Sequence, residues 1–259
     1  MSSQRQTMIK ETIKGCMRAK LLSYKPEVRN MPFHHRLLGK DSIALFFFIH
    51  SLNTKFSTLF YEPVAIALAR GRFKVAEAQV KPFNRISTDA QQQIQTIMDE
   101  LWVAERKPNK CIEMKEIRQV CQTGTLKQVK QTPVDLWLEN YDGALFLIDL
   151  KPVKPSWNHI EGYKRTLLKW TAAELARDPG AAVNTMIGIP YNPYEPKRYE
   201  RWTLKGMLDL QHDILIAEEL WNFIGGEGTY ADLLDAFELA GIELRPEIDS
   251  YFEKFRYEG

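Results

Sequence analysis

Asp135, Asp149 and Lys151 stand where they could act together on a phosphate. They lie in two β-rich runs, 132–140 and 144–151, with Asp142-Gly143 between them, a pairing of alternating apolar residues and turn residues that predicts a β-hairpin. A two-residue loop would put Asp149 and Lys151 on the same sheet face as Val134, Leu136 and Leu138, burying two charges among aliphatics. A three-residue loop, Tyr141-Asp142-Gly143 with Gly143 left-handed, instead gathers Val134, Leu136, Leu138, Phe146, Ile148 and Leu150 on one face. Register follows the buried face, because a slip of one residue turns every side chain over. The second pairing is therefore the expected one, and it sets Asp135 opposite Asp149 with Lys151 two positions along the same strand.

Like charges directly opposed across a sheet are destabilising, and a cation between them removes the penalty. Two carboxylates and the Leu150 carbonyl make a hard oxygen site suited to Mg²⁺, which keeps several waters and binds substrate phosphate. Lys151 would lie within reach of a metal-bound water, where its charge can orient the nucleophile and offset charge developing on phosphorus. That chemistry is phosphodiester hydrolysis. The competing reading is a solvated hairpin on which Asp149 simply pairs with Lys151 or Lys154.

Other chemistries find less support. Gly39-Lys40 runs into Asp41, so no phosphate-binding nucleotide loop is present and no nucleotide cofactor is expected. The five histidines show no ligand spacing, and Cys16, Cys111 and Cys121 suit neither a disulfide framework nor a zinc cluster. The apolar run 43–49 is far shorter than the roughly 20 residues a bilayer requires, and the N-terminus has no secretory apolar core, so a cytoplasmic protein without membrane association is expected. The net charge of +2 hides a strong asymmetry: +7 over residues 1–40, +5 over 41–205 and −10 over 206–259. Either an anionic partner meets the first two segments, or the acidic tail neutralises the basic arm within the fold.

The elements that must position the hairpin can be read from periodicity and punctuation. Residues 1–30 alternate basic and apolar positions at helical spacing. Asp41-Ser42 opens an apolar helix to about residue 52, Glu62-Pro63 a second, Ser87-Thr88-Asp89 a third through Trp102, and a shorter one follows over 113–121. The first half is thus expected to be mostly helical. After the hairpin come a helix over 156–177, a buried strand over Val183–Ile189, a proline loop at Pro190, Pro193 and Pro196, and helices broken at 225–228, with Thr229 capping the last pair. The expectation is a single α/β domain: a mostly helical part over 1–123, a catalytic core of hairpin, helix and strand over 124–190, and a basic loop with C-terminal helices over 191–259.

With Asp135 as first acid, Asp149 as second and Lys151 as lysine, the chain resembles the PD-(D/E)xK nuclease superfamily, although its proline, Pro133, stands two residues before the aspartate rather than beside it. It is further similar to a family of type II restriction endonucleases that cut GGNCC-like sites. That similarity rests on Leu37-Leu38-Gly39-Lys40-Asp41, Phe60-Tyr61-Glu62-Pro63-Val64-Ala65, Lys164-Arg165-Thr166-Leu167-Leu168, Val183-Asn184-Thr185 and the stretches 149–155 and 189–202, over roughly residues 33–255. The resemblance implies a restriction-endonuclease-like fold, a central mixed sheet flanked by helices with a helical N-terminal elaboration. It also implies Mg²⁺-dependent cleavage of both strands of duplex DNA at a short palindrome, and a homodimer whose two-fold axis mirrors the site. A repair or junction-cutting nuclease on the same core, or a DNA-binding protein without turnover, are the alternatives.

A third acid from an upstream helix often completes such sites. Glu62 is the candidate and Glu116 the second choice, against the commoner use of Glu62 as favourable charge at a helix start. Lys154, Lys164, Arg165, Lys197, Arg198 and Arg201 are the candidate DNA contacts, the last two as readers of guanine edges. On a helix over 157–176, Ile160, Tyr163, Leu167 and Trp170 form an apolar stripe that Lys164 borders.

Overall fold

In chain order the elements are α1 (Ser2–Ser23), α2 (Pro32–Leu38), α3 (Lys40–Phe56), a π-helical turn (Ser57–Tyr61), α4 (Glu62–Ala69), β1 (Val75–Val80), β2 (Arg85–Ser87), α5 (Thr88–Trp102), α6 (Lys110–Val120), β3 (Leu126–Gln128), β4 (Val134–Glu139), β5 (Leu145–Leu150), α7 (Trp157–Arg177), β6 (Val183–Ile189), β7 (Ile214–Ile216), α8 (Glu218–Gly225) and α9 (Thr229–Glu253). The structure, a computed structural model, describes residues 2–25, 31–200, 204 and 206–253. The chain divides into two compact units, Met1–Leu68 with Gly228–Gly259, and Ala69–Glu227. The boundaries expected near 123 and 191 both fall inside the second unit.

The first unit is helical. Its α1 buries Ile9, Ile13 and Met17 at four-residue spacing, and α9 buries Leu233, Ala236, Ala240 and Leu244; the two helices pack on each other along their length. Ion pairs link Arg5 to Asp232, Lys10 and Lys14 to Glu243, and Arg18 to Glu247, so the two sequences advance in the same direction. Hydrogen bonds from Lys10 and Lys14 hold the Glu243 carboxyl down at about 2, well below its usual range. The acidic tail thus neutralises the basic residues of α1 inside the first unit.

Two helices expected at 41–52 and from 62 are joined here by the π-helical turn into one helical run, Lys40–Ala69. That run is long and apolar enough to cross a membrane by length and composition, and 17% of its most apolar window is buried. The short apolar burst at 43–49 therefore understates the apolar length of this element, because the chain does not break at Thr58-Leu59.

In the second unit five strands form one sheet in the order β1-β4-β5-β6-β7. β1 pairs antiparallel with β4 and β4 with β5, whereas β5–β6 and β6–β7 are parallel. This is the mixed central sheet flanked by helices that the resemblance implies. β2 and β3 form a separate two-stranded ladder.

Leu136↔Ile148 through Glu139↔Leu145 confirm the three-residue hairpin loop. Asn140 donates to the Ala144 carbonyl at 2.9 Å and Gly143 adopts φ +85°, the left-handed conformation that favours glycine.

The sheet is covered on both faces. On one, Trp137, Leu145, Leu147, Ile187 and Ile189 pack with Ile94 and Met98 of α5, Ile117 of α6, and Ile160, Leu167 and Trp170 of α7. On the other, Phe146 meets Phe223 of α8 with ring centroids 5.1 Å apart. Gly188 lies so close to Ile148, Leu150 and Leu220 that a Cβ there would fall within 2.9–3.1 Å of all three.

The expectation of a mostly helical first half missed β1 and β2. The β1 sequence Val-Ala-Glu-Ala-Gln-Val is rich in residues disfavoured in strands, and pairing with β4 overrides that preference. β7 escapes a sequence reading for a different reason, its length: it is three residues paired with its neighbour β6.

Candidate active site

Because Leu136 faces Ile148, the next position places Asp135 opposite Asp149 on the shared face. The two carboxyls are close enough for Asp135 to raise the pKa of Asp149. Asp135 accepts from the Leu150 backbone N–H through Oδ2 at 2.7 Å and from Gln79 Nε2 through Oδ1 at 2.9 Å. Asp149 is 2% exposed, and its Oδ1 meets Lys151 Nζ at 2.7 Å. The Lys151 N–H donates to the Gly188 carbonyl at 2.9 Å, so the lysine leaves β5 while its backbone is still tied to β6. Its ammonium lies 4.5 Å from the centroid of the Tyr163 ring on α7.

Electrostatics mark Asp149. Burial pushes its carboxyl up to about 7; the nearby Lys151 ammonium pulls the other way, and Asp135 adds to the rise. A carboxylate pair with one member this reluctant to ionise is short of positive charge even with the lysine present. Perturbed acids of this kind cluster at functional sites.

Tyr163 and Gln79 are the two residues of this cluster that sequence reasoning did not single out. By spacing Tyr163 belongs to the apolar stripe of α7. Ile160, Leu167 and Trp170 are indeed buried, while Tyr163, half-buried, turns its ring to the lysine. The only sequence signal for Gln79 was a polar residue inside a strand that had itself been missed.

The remaining candidates are scattered. Glu62 is buried at the first residue of α4, in the helical unit. Glu116, the second choice, is engaged on α6 by Arg106, which reaches both its carboxylate oxygens at 3.0 and 2.5 Å. Among the described residues no group of three His, Cys, Asp or Glu side chains is placed to hold a metal ion. The acids that the hairpin brings together are the two carboxylates Asp135 and Asp149. That fits a hard divalent ion such as Mg²⁺, which is usually bound by one or two carboxylates together with waters and substrate phosphate.

One candidate DNA contact is corrected. Lys164 is 1% exposed, and its ammonium sits between Glu113 Oε2 at 2.5 Å and Asp213 Oδ2 at 2.6 Å. It borders the apolar stripe of α7, as its spacing implied, but from the inside: burial with two acids supplied by α6 and the loop before β7 removes it from any phosphate. Beside it Lys110 donates to the carbonyls of Thr185 and His212, and burial brings its ammonium down to about 8. Arg165 is partly exposed and bonded to Gln95 and Glu161. Lys154 is exposed, with its ammonium 5.5 Å from the Tyr194 ring centroid. Lys197 and Arg198 are exposed in the loop after β6. Arg201 lies outside the described residues.

A mixed sheet of this order with helices on both faces places the chain among restriction-endonuclease-like folds. A family model described as "Type II restriction endonuclease, HinfI" matches residues 1–241. The chain belongs to that family. It is 29% identical over 235 residues to the type II restriction enzyme MjaII of Methanocaldococcus jannaschii, a match covering 81% of this chain and 62% of MjaII. It is 24% identical over 226 residues to the type II restriction enzyme HgiEI of Herpetosiphon aurantiacus, covering 84% of this chain and 79% of HgiEI. The chain thus spans somewhat under two thirds of the MjaII length. Type II restriction endonucleases generally act on DNA and use divalent metal ions.

Proposed function

We propose that this protein is a cytoplasmic, Mg²⁺-dependent endodeoxyribonuclease that hydrolyses phosphodiester bonds in both strands of duplex DNA at a short palindromic site, working as a homodimer. The observation that carries the reading is the meeting of Asp135, Asp149 and Lys151 at the end of one hairpin, in a chain of this family.

In this reading the Asp135 and Asp149 carboxylates and the Leu150 carbonyl hold the ion. Once bound, it supplies Lewis acidity to the phosphate and makes its coordinated water more acidic. The chain's own residues do the rest. The Leu150 N–H and Gln79 fix the orientation of Asp135. Asp149, whose carboxyl burial pushes up to about 7, would be kept in its ionised form by a cation held beside it. Lys151 is released from its pairing with Asp149 to orient the attacking water and to offset negative charge on the phosphoryl oxygens. Tyr163 keeps the freed ammonium near the site. Lys154, Arg165, Lys197, Arg198 and Arg201 supply phosphate and base contacts from the same unit. A two-fold dimer presents the site twice, once to each strand of a palindrome.

Plasmid DNA incubated with the protein and Mg²⁺ is expected to give discrete fragments, and none with EDTA or with Asp149→Ala. Gel retardation without cutting would point to a binding protein on the same fold. Cleavage confined to branched or damaged duplexes would point to a repair or junction-cutting enzyme.

A further inference from the structure

Gln79 occupies the edge strand β1 between the pairs Ala78↔Leu136 and Val80↔Val134, which sets it across from Asp135. Its backbone has φ +57°, one of three non-glycine residues with positive φ among those described. That conformation is costly for a residue with a Cβ and persists where the surroundings demand it, which is most often at functional sites. Nothing about pairing two strands requires it: Val75 to Ala78 and Val80 hold regular antiparallel register with β4. What the residue accomplishes is local. Its carboxamide Nε2 donates to Asp135 Oδ1 at 2.9 Å, while Leu150 N–H occupies Oδ2 at 2.7 Å.

We propose that Gln79 is a positioning residue for the metal-binding carboxylate, held in a strained backbone conformation so that a neutral donor fixes Asp135 from the sheet edge. The inference rests on the reading of Asp135 as a metal ligand. The neutrality of the donor is the physical point. A lysine or arginine in this place would pair with Asp135 and compete with the divalent ion for it. An amide fixes the rotation of the carboxylate and leaves its full charge for the metal. With one donor on each oxygen, Asp135 has its free lone pairs held in a single direction, and that preorganisation is what a bound ion and an in-line attack demand.

The role separates from a structural one by the sign of its stability effect. Gln79→Gly removes the donor and also the steric objection to positive φ, so thermal melting of the metal-free protein is expected to stay level or rise. Ca²⁺, titrated calorimetrically into the protein bound to cognate duplex, should bind about tenfold more weakly, and the single-turnover cleavage rate in Mg²⁺ should fall by about tenfold or more. Gln79→Asn tolerates the same backbone but is one methylene short of Asp135, and should behave alike. A melting temperature that drops together with activity would make Gln79 a structural residue, and unchanged Ca²⁺ affinity and rate would deny it any role; either result overturns the proposal. Asp135→Ala distinguishes the two levels. If that variant still cuts, the assignment of Asp135 itself is wrong; if it is inactive while Gln79→Gly is normal, only the positioning role fails.

Discussion

Replacing Asp149 by asparagine is expected to stabilise the metal-free protein and abolish cleavage, and the size of the gain can be worked from the burial of the carboxyl. In the folded protein its pKa is pushed from 3.8 up to about 7, chiefly by desolvation. Between about pH 4 and about pH 7 the folded state therefore holds a proton that the unfolded state has lost. Stability contributed by this group must fall as pH rises through that window, by about 1.4 kcal/mol per pH unit, and then level off. The total is on the order of 4 kcal/mol at alkaline pH. Asparagine, isosteric and never charged, escapes that loss while still accepting a hydrogen bond from Lys151. The advantage of Asp149→Asn over the wild type should thus be small near pH 4, grow to about pH 7 and stay constant above it. All six tryptophans lie within residues 69–227, so urea unfolding followed by tryptophan fluorescence reports the unit that carries the site. Adding Mg²⁺ at pH 8 should restore the wild type, by about 2.7 kcal/mol at a hundredfold excess over Kd, and leave the variant unmoved. A stability difference that does not change with pH, or a variant less stable than the wild type at pH 8.5, would refute the reasoning.

Three further outcomes test the supporting structure. Lys164→Met leaves Glu113 and Asp213 buried without their cation and is expected to cost about 3–5 kcal/mol in urea unfolding. Gly188→Ala forces a methyl group against Ile148, Leu150 and Leu220 and should cost about 1–3 kcal/mol, lowering the melting temperature measured by calorimetry. Lys154→Ala is expected to lower the slope of log K against log salt for duplex binding in Ca²⁺ by about one, whatever the DNA sequence, as the loss of a phosphate contact requires.

The hairpin was legible in the sequence because its register is decided by one strong constraint. Only one loop length keeps both charges off the aliphatic face, and Tyr141-Asp142-Gly143 supplies the residue that loop demands. The helices α5 and α7 and the strand β6 were legible for a related reason, since each combines a clear period with punctuation such as Ser87, whose hydroxyl accepts from the Ala90 N–H at the start of α5; the pair of helices expected after Thr229 is instead the single helix α9, which continues through Pro246. β1 was not, since an edge strand of alanine, glutamate and glutamine owes its existence to a partner 50 or more residues away. The continuity of Lys40–Ala69 was hidden likewise, because nothing local distinguishes a π-helical turn from a break.

The site itself divides along the same line. Which residues share a face follows from period two and can be counted; which partner a charge finds cannot. Lys151 and Lys164 lie in similar basic surroundings in the sequence, yet one reaches a carboxylate whose charge burial resists, and the other is locked between two acids from distant segments. The difference lies in supply. Glu113 and Asp213 hold Lys164 between them, and Lys110 also lies 4.0 Å from Asp213, so two negative groups meet two positive ones and no charge is left to offer a ligand. Around Asp135 and Asp149 the two acids have one lysine, and a neutral amide stands where a second cation would complete the balance. The deficit of one positive charge is what an incoming divalent ion would fill. A fully paired cluster would have been the more stable solution, so the unpaired one is retained at a cost that the pH dependence of Asp149 makes measurable.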